Sequence, residues 1–308
     1  QEHINHGTST LSVIGGRGNG WGGIGIAPEA RLYVKTFEGN GADTAATMTS
    51  IISAINVLNH GDVMVIELGP ALPPPLGAGD GVPAIALEWY KPVYDAFRYA
   101  TGNAITVVEA AGNGSKNLDD PVYSDPTVNG GHNPFLVDAD GTRLADSGAI
   151  LVGAGHSPTA AYSVQNANPP MPQQYWFEAR QRCGFSSYGA RVDVQGWGNS
   201  VVAAGGKLNG AGDLYSAEGP QRWFTNSYGG TSSAAPIVAG AVASLQRIWI
   251  ADSGAPMSPR DMRDILISTG TPQVGRAEHI GPLPNLRGAI ELTLGIRPNS
   301  PAVSSQPY

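Results

Sequence analysis

Residues 230–245 read Gly-Thr-Ser-Ser-Ala-Ala-Pro and then IVAGAVASL. The apolar pattern continues from Ser232 to about Ile250, which predicts one long helix buried over most of its surface. Ala234 and Ala235 leave room for close approach to a sheet. Pro236 stands near the helix start, where a missing N–H costs little. A helix N-terminus offers unpaired N–H groups and a partial positive charge. A serine at that place is either a plain N-cap or a nucleophile beside which an oxyanion would be stabilised.

The strands such a helix needs are found outward from it. DVMVIEL (62–68), ITVVEAA (105–111) and GAILVGAG (148–155) are nearly continuous apolar runs, as expected of parallel strands covered on both faces. RLYVKTF (31–37) reads as another strand, and 191–206 holds two short ones. Helical patterns alternate with them. HGTSTLSVIGG (6–16) ends at a glycine pair, and 44–59 places Met48, Ile51, Ile52, Ile55 and Leu58 at helical spacing before Gly61. In 86–100, Pro92 either kinks a helix or delays its start. SPRDMRDILIST (258–269) is capped by Ser258, with Asp261 three residues on. The alternation predicts an α/β fold, a mostly parallel sheet flanked by helices in three layers. Residues 1–295 read as one domain and 296–308 as a surface tail.

Composition narrows the function classes. The net charge is -7 with only 14% charged residues, so no basic footprint for nucleic acid exists. No apolar run in the sequence approaches the ~20 residues of a membrane helix. The one cysteine, Cys183, excludes an internal disulfide framework, and its neighbours match no thiol-enzyme pattern. Gln1 to His6 carries no apolar signal region, so something is expected to precede Gln1. Gly18 to Gly23 matches GxGxxG but follows a helix rather than a strand, which rejects a dinucleotide site.

Three short motifs carry chemistry. His6-Gly7-Thr8 offers an imidazole able to take and return a proton near neutral pH, or is a surface histidine near a terminus. Ala110-Ala111-Gly112-Asn113 closes an apolar strand with small residues and an amide. That amide can donate to an oxyanion, or it belongs to a Gly-Asn-Gly turn. Ser232 is the third. Together and in this order, HGT, AAGN and GTSSAAP resemble the histidine, oxyanion and serine motifs of the subtilisin-like serine proteases. GIGIAPEARLYVKTF (23–37), DVMVIELG (62–69) and CGFSSYGARVDVQGWG (183–198) are similar to further stretches of that family.

The resemblance implies a subtilisin-like domain and a secreted endopeptidase acting on proteins or peptides, with no cofactor for its chemistry. It implies His6 as general base, Asn113 as oxyanion donor and Ser232 as nucleophile. Thr231 would support the oxyanion hole. Glu67, Leu68 and Gly69 with Ala110, Ala111 and Gly112 would line the specificity pocket and pair with substrate backbone. Glu67 stands where the family has a small serine and reads as a solvent-facing residue at the cleft edge. A second reading gives it a preference for a basic residue before the scissile bond. Loop 15–26 resembles one that wraps a structural calcium, with Asn19 as ligand.

The departure from the family lies upstream. Its catalytic aspartate precedes the histidine, and only five residues precede His6 here. Three accounts stand. The aspartate arrives on a segment or chain before Gln1, Glu2 or another acid replaces it, or the protein is a silent peptide-binding relative. Acid proteases with a similar serine motif are a further rival, opposed by His6 and Asn113.

Overall fold

The computed structural model describes residues 2–35, 44–70, 72, 84–160, 177–205, 214, 216–275 and 277–295. In chain order the main elements are helix α1 (Glu2–Gly15), α2 (Thr44–Ile55), strand β1 (Val63–Ile66), α3 (Lys91–Gly102), β2 (Thr106–Ala110) and β3 (Ile150–Gly155). They continue with β4 (Val194–Trp197), β5 (Val201–Ala204), β6 (Phe224–Tyr228), α4 (Thr231–Ser253), α5 (Pro259–Thr269) and α6 (Leu286–Thr293).

β1 to β4 form a parallel sheet in the order β1-β2-β3-β4, with Val63 opposite Thr106, Val108 opposite Ile150 and Val152 opposite Val194. Every residue of β2 and β3 is buried, because helices cover both faces. On one face Val108, Ala110, Ile150 and Val152 pack on Ala235, Val238 and Val242 of α4, with Met262 and Leu266 of α5 behind. On the other, Met64 and Val107 meet Ile51 and Ile55 of α2 and Val93 and Phe97 of α3. The three layers follow from the two-residue period of the strands set against amphipathic helices. By length and composition α4 could cross a membrane, but its side chains fill the core. β5 and β6 form a separate antiparallel pair.

Several expectations are adjusted. Residues 31–35 form no strand, and Tyr33 and Val34 are exposed. β1 is the sheet edge among the described residues, and 31–35 does not pair with it; residues 36–37 of that predicted strand lie outside the described residues. α1 begins at Glu2, so His6 lies inside the helix rather than at its start. α2 stops at Ile55, followed by a turn. Pro92 sits in the first turn of α3, where it delays the start rather than kinking the helix. Ser258 caps α5 by accepting from the Asp261 N–H. The tail at 296–308 lies outside the described residues.

A buried ionic cluster was not foreseen. Arg191, wholly buried, pairs with Glu88 at 2.9 Å and Asp193 at 2.7 Å. Arg143 pairs with Asp193, and Arg263 grips Asp146 with two bonds of 2.8 Å. Glu109 of β2 accepts the Glu88 N–H at 2.8 Å. Burial first, then the neighbouring Glu88, raises the Glu109 carboxyl well above its ordinary range.

Candidate active site

The site lies at the C-terminal ends of β1 and β2, where open α/β sheets place their ligands. Four segments of the chain meet there. α1 brings His6 and, one turn later, Thr10. The chain leaving β1 brings Glu67 directly after Ile66. The chain leaving β2 brings Asn113. The fourth contribution is the turn from β6 into α4, which runs Tyr228-Gly229-Gly230-Thr231-Ser232. Gly230 has φ 87° and ψ 176°, a conformation open to glycine alone, and an added Cβ would lie 3.3 Å from Asn113 Nδ2.

Asn113 is bound to the start of α4. Its Oδ1 accepts from the Thr231 N–H at 2.8 Å and from the Thr231 hydroxyl at 3.0 Å. With the carbonyl end so held, Nδ2 is the end left to donate. Ser232 is 8% exposed in the first turn of α4. Ser233 donates to Trp197 O at 2.8 Å and so ties the same turn to the end of β4.

His6 is on the other side of the turn. Its ring meets the Tyr228 ring edge-on at 5.7 Å, and the Tyr228 hydroxyl donates to Ser232 O at 2.8 Å. Asn113 thus contacts Thr231 directly, and His6 is linked to Ser232 through Tyr228. Tyr228 and Thr10, which link them, were missed. A tyrosine four residues before a serine has no local signature, and Thr10 differs from any helical threonine only through its distant partners.

Glu67 is not the solvent-facing residue expected. Its side chain is 10% exposed, and Oε2 lies 3.5 Å from His6 Nδ1. The same oxygen accepts from Thr10 at 2.6 Å and from Tyr228 at 3.5 Å, while Oε1 is buried with no hydrogen-bond partner among the described residues. Burial pushes the carboxyl up to about 8, although the hydrogen bonds from Thr10 and Tyr228 work in the other direction. Burial, and next the charge of Glu67, raises the Tyr228 hydroxyl too.

The remaining predicted residues occupy the strand exits. Leu68 is exposed, while Ala110 and Ala111 are buried, Ala111 donating its N–H to Val152 O at 2.9 Å. Gly69 follows Leu68 at the exit of β1. Gly112 has φ 97°, and an added Cβ would come within 2.6 Å of the Ala84 carbonyl, so the close approach of 84–85 demands glycine. Asn19 is exposed and its Oδ1 accepts the Trp21 N–H at 3.0 Å. Loop 16–26 carries no carboxylate, and no group of three or more His, Cys, Asp or Glu able to hold a metal occurs among the described residues. Cys183 is buried and its thiol is pushed up to about 12 by burial, so it is inert.

The Asn113 amide is bound at the start of α4, and Tyr228 lies between the Ser232 carbonyl and the His6 ring. The profile of the subtilase family matches residues 1–282, and the chain belongs to that family. No curated protein sequence matches it. Among solved structures it is similar to a lanthipeptide protease, at 17% identity and TM-score 0.56, covering 94% of this chain and 75% of that one. It is also similar to the self-cleaved protease domain of PatA, at 20% identity and TM-score 0.56, covering 94% and 83%. A third is fervidolysin from Fervidobacterium pennivorans, a keratinolytic enzyme related to subtilisin, at 19% identity and TM-score 0.57, covering 93% and 36%. At these identities the likeness is one of fold.

Proposed function

We propose that the chain is a serine endopeptidase that hydrolyses peptide bonds through an acyl-enzyme. Ser232 attacks the scissile carbonyl while His6 takes its proton and later gives it to the leaving amine. The Nδ2–H of Asn113 and the Ser232 N–H donate to the oxyanion. Residues 67–70 and 110–113 pair with the substrate backbone as added strands.

One observation carries the reading. The Asn113 carboxamide is fixed by Thr231, the neighbour of Ser232, while Tyr228 joins the Ser232 carbonyl to the His6 ring. A dead peptide-binding module has no need of an amide held with its acceptor end occupied and its donor end left over.

The acidic partner of the imidazole has two sources. One is an aspartate from upstream of Gln1, on a strand for which the edge of β1 is open among the described residues. The other is a carboxylate of this chain. A location outside the cell and a calcium on loop 15–26 belong to the same family-based reading. That loop itself supplies carbonyl oxygens and the Asn19 amide, so such an ion needs further ligands from elsewhere.

A fluorophosphonate probe tests the proposal. Wild type should be labelled on Ser232, and Ser232→Ala and His6→Ala should not. An unlabelled, folded wild type would leave the silent binding module as the better reading.

A further inference from the structure

Pro236 lies beyond the first turn of α4 and carries no N–H. In an α-helix that N–H would bond the carbonyl four residues back, which here belongs to Ser232. The Tyr228 hydroxyl donates to the Ser232 carbonyl instead, at 2.8 Å. The Tyr228 ring packs on Val13 of α1 and on Val201 and Ala203 of β5, so its hydroxyl is aimed by packing. The same hydroxyl oxygen lies 2.8 Å from Thr10 Oγ1, and Thr10 Oγ1 lies 2.6 Å from Glu67 Oε2. Three close contacts therefore run in a row from Glu67 through Thr10 and Tyr228 to the backbone of Ser232.

Each contact needs one proton, and the Thr10 and Tyr228 hydroxyls supply one each. With Glu67 ionised, two protons face three contacts. Thr10 then donates to the carboxylate, and Tyr228 fills the gap beside Thr10 only by turning its proton away from the Ser232 carbonyl. With Glu67 protonated the row is complete: Glu67 donates to Thr10, Thr10 to Tyr228 and Tyr228 to Ser232 O. The His6 carbonyl, 3.1 Å from Thr10 Oγ1, is the longer alternative for the Thr10 proton. Burial favours the protonated carboxyl. Among the described residues, the titratable groups that meet Glu67 are His6 from α1 and Tyr228 from β6.

We infer that Tyr228 is a positioning residue for Ser232, its hydroxyl standing in for the N–H that Pro236 lacks, and that a proton on Glu67 keeps this hydroxyl turned to the Ser232 carbonyl. Loss of that proton reverses the row of hydrogen bonds and loosens the first turn of α4. The inference rests on the protease reading and deepens it, because it regulates the same serine, and it holds whichever acid faces the imidazole.

The experiment uses the full-length protein, with whatever precedes Gln1, as wild type, Tyr228→Phe and Glu67→Gln, each checked for folding by thermal unfolding. Peptide hydrolysis and the rate of fluorophosphonate labelling are measured from pH 5 to 10. Wild type should lose rate as pH rises through about 8. Glu67→Gln, whose neutral amide can donate to Thr10 at every pH, should lack that fall. Tyr228→Phe keeps the ring and deletes the hydroxyl. Its kcat below pH 8 should drop by about fivefold or more with KM little changed, the size expected of one neutral hydrogen bond, and its profile should show no step near about 8. A purely structural role for Tyr228 would lower the melting temperature and leave the shape of the pH profile alone.

The carbonyl ¹³C resonance of Ser232 is followed over the same pH range, because it reports the hydrogen bond without any turnover. In wild type it should move as pH passes about 8, in Glu67→Gln it should stay at the low-pH position, and in Tyr228→Phe it should stay at the high-pH position throughout. A labelled, active wild type with Tyr228→Phe within about twofold of it at every pH would overturn the inference and leave the protease reading intact. If wild type proves inert, the resonance decides alone: movement in wild type that both variants lack upholds the inference, and a Ser232 carbonyl that does not move, or moves equally in Tyr228→Phe, ends it.

Discussion

Asn113 Oδ1 accepts both the backbone N–H of Thr231 at 2.8 Å and the Thr231 hydroxyl at 3.0 Å, a contact between the exit of β2 and the first turn of α4. It makes the two ends of the Asn113 amide separable by mutation. Asn113→Asp keeps the acceptor and deletes the donor, whereas Asn113→Ala deletes both. Both should lose 10²–10³ in kcat with KM little altered, about the size known for an oxyanion donor in a subtilisin. Only Asn113→Ala should also lose about 1 kcal/mol of stability. Steady-state kinetics beside urea unfolding separate the two, and an Asn113→Asp variant of undiminished kcat would count against the oxyanion role.

Glu67 should cost the fold stability at alkaline pH. Its carboxyl sits near 8 in the folded chain against an ordinary 4.5, so the folded state holds a proton that the unfolded state has released. Stability on its account is fully present below about 4.5 and is lost as pH rises through about 8. Glu67→Gln should therefore match wild type near pH 4.5 and melt higher at pH 8, by an amount on the order of a few kcal/mol. Equal melting temperatures at both pH values would refute this.

Gly112→Ala should be among the more damaging single-methyl changes. The residue has φ 97°, and the new Cβ would meet the Ala84 carbonyl and Ile85 Cα at 2.6 Å. Positive φ and overpacking together should remove about 2–4 kcal/mol. The urea midpoint should drop with an unchanged slope.

Arg263→Met should sensitise the protein to acid. Burial alone would raise the Asp146 carboxyl, yet the hydrogen-bonded Arg263 guanidinium holds it well below the usual range. Its contribution is present above about 3.8 and fades as pH falls through the lowered value. Without Arg263 the loss should be about 3–5 kcal/mol near neutral pH, and the acid-unfolding midpoint should move upward. Circular dichroism against pH reads both.

The sequence by itself determined the parallel strands, the buried helix after Ser232, the Ser258 cap and the three motifs at His6, Asn113 and Ser232. Each is written in local terms: a run of apolar residues, a spacing, a capping residue. Tertiary structure decided what depends on distant partners. Residues 31–35 have strand-like composition yet pair with no strand among the described residues. Arg191 and Glu88 become a buried pair only when their elements stack. Glu67 could be read as a surface carboxylate until the exit of β1 folds against α1 and turns it to His6 Nδ1. A charge carries no mark in the sequence of the water it will lose, because desolvation is a property of the packed environment rather than of the residue.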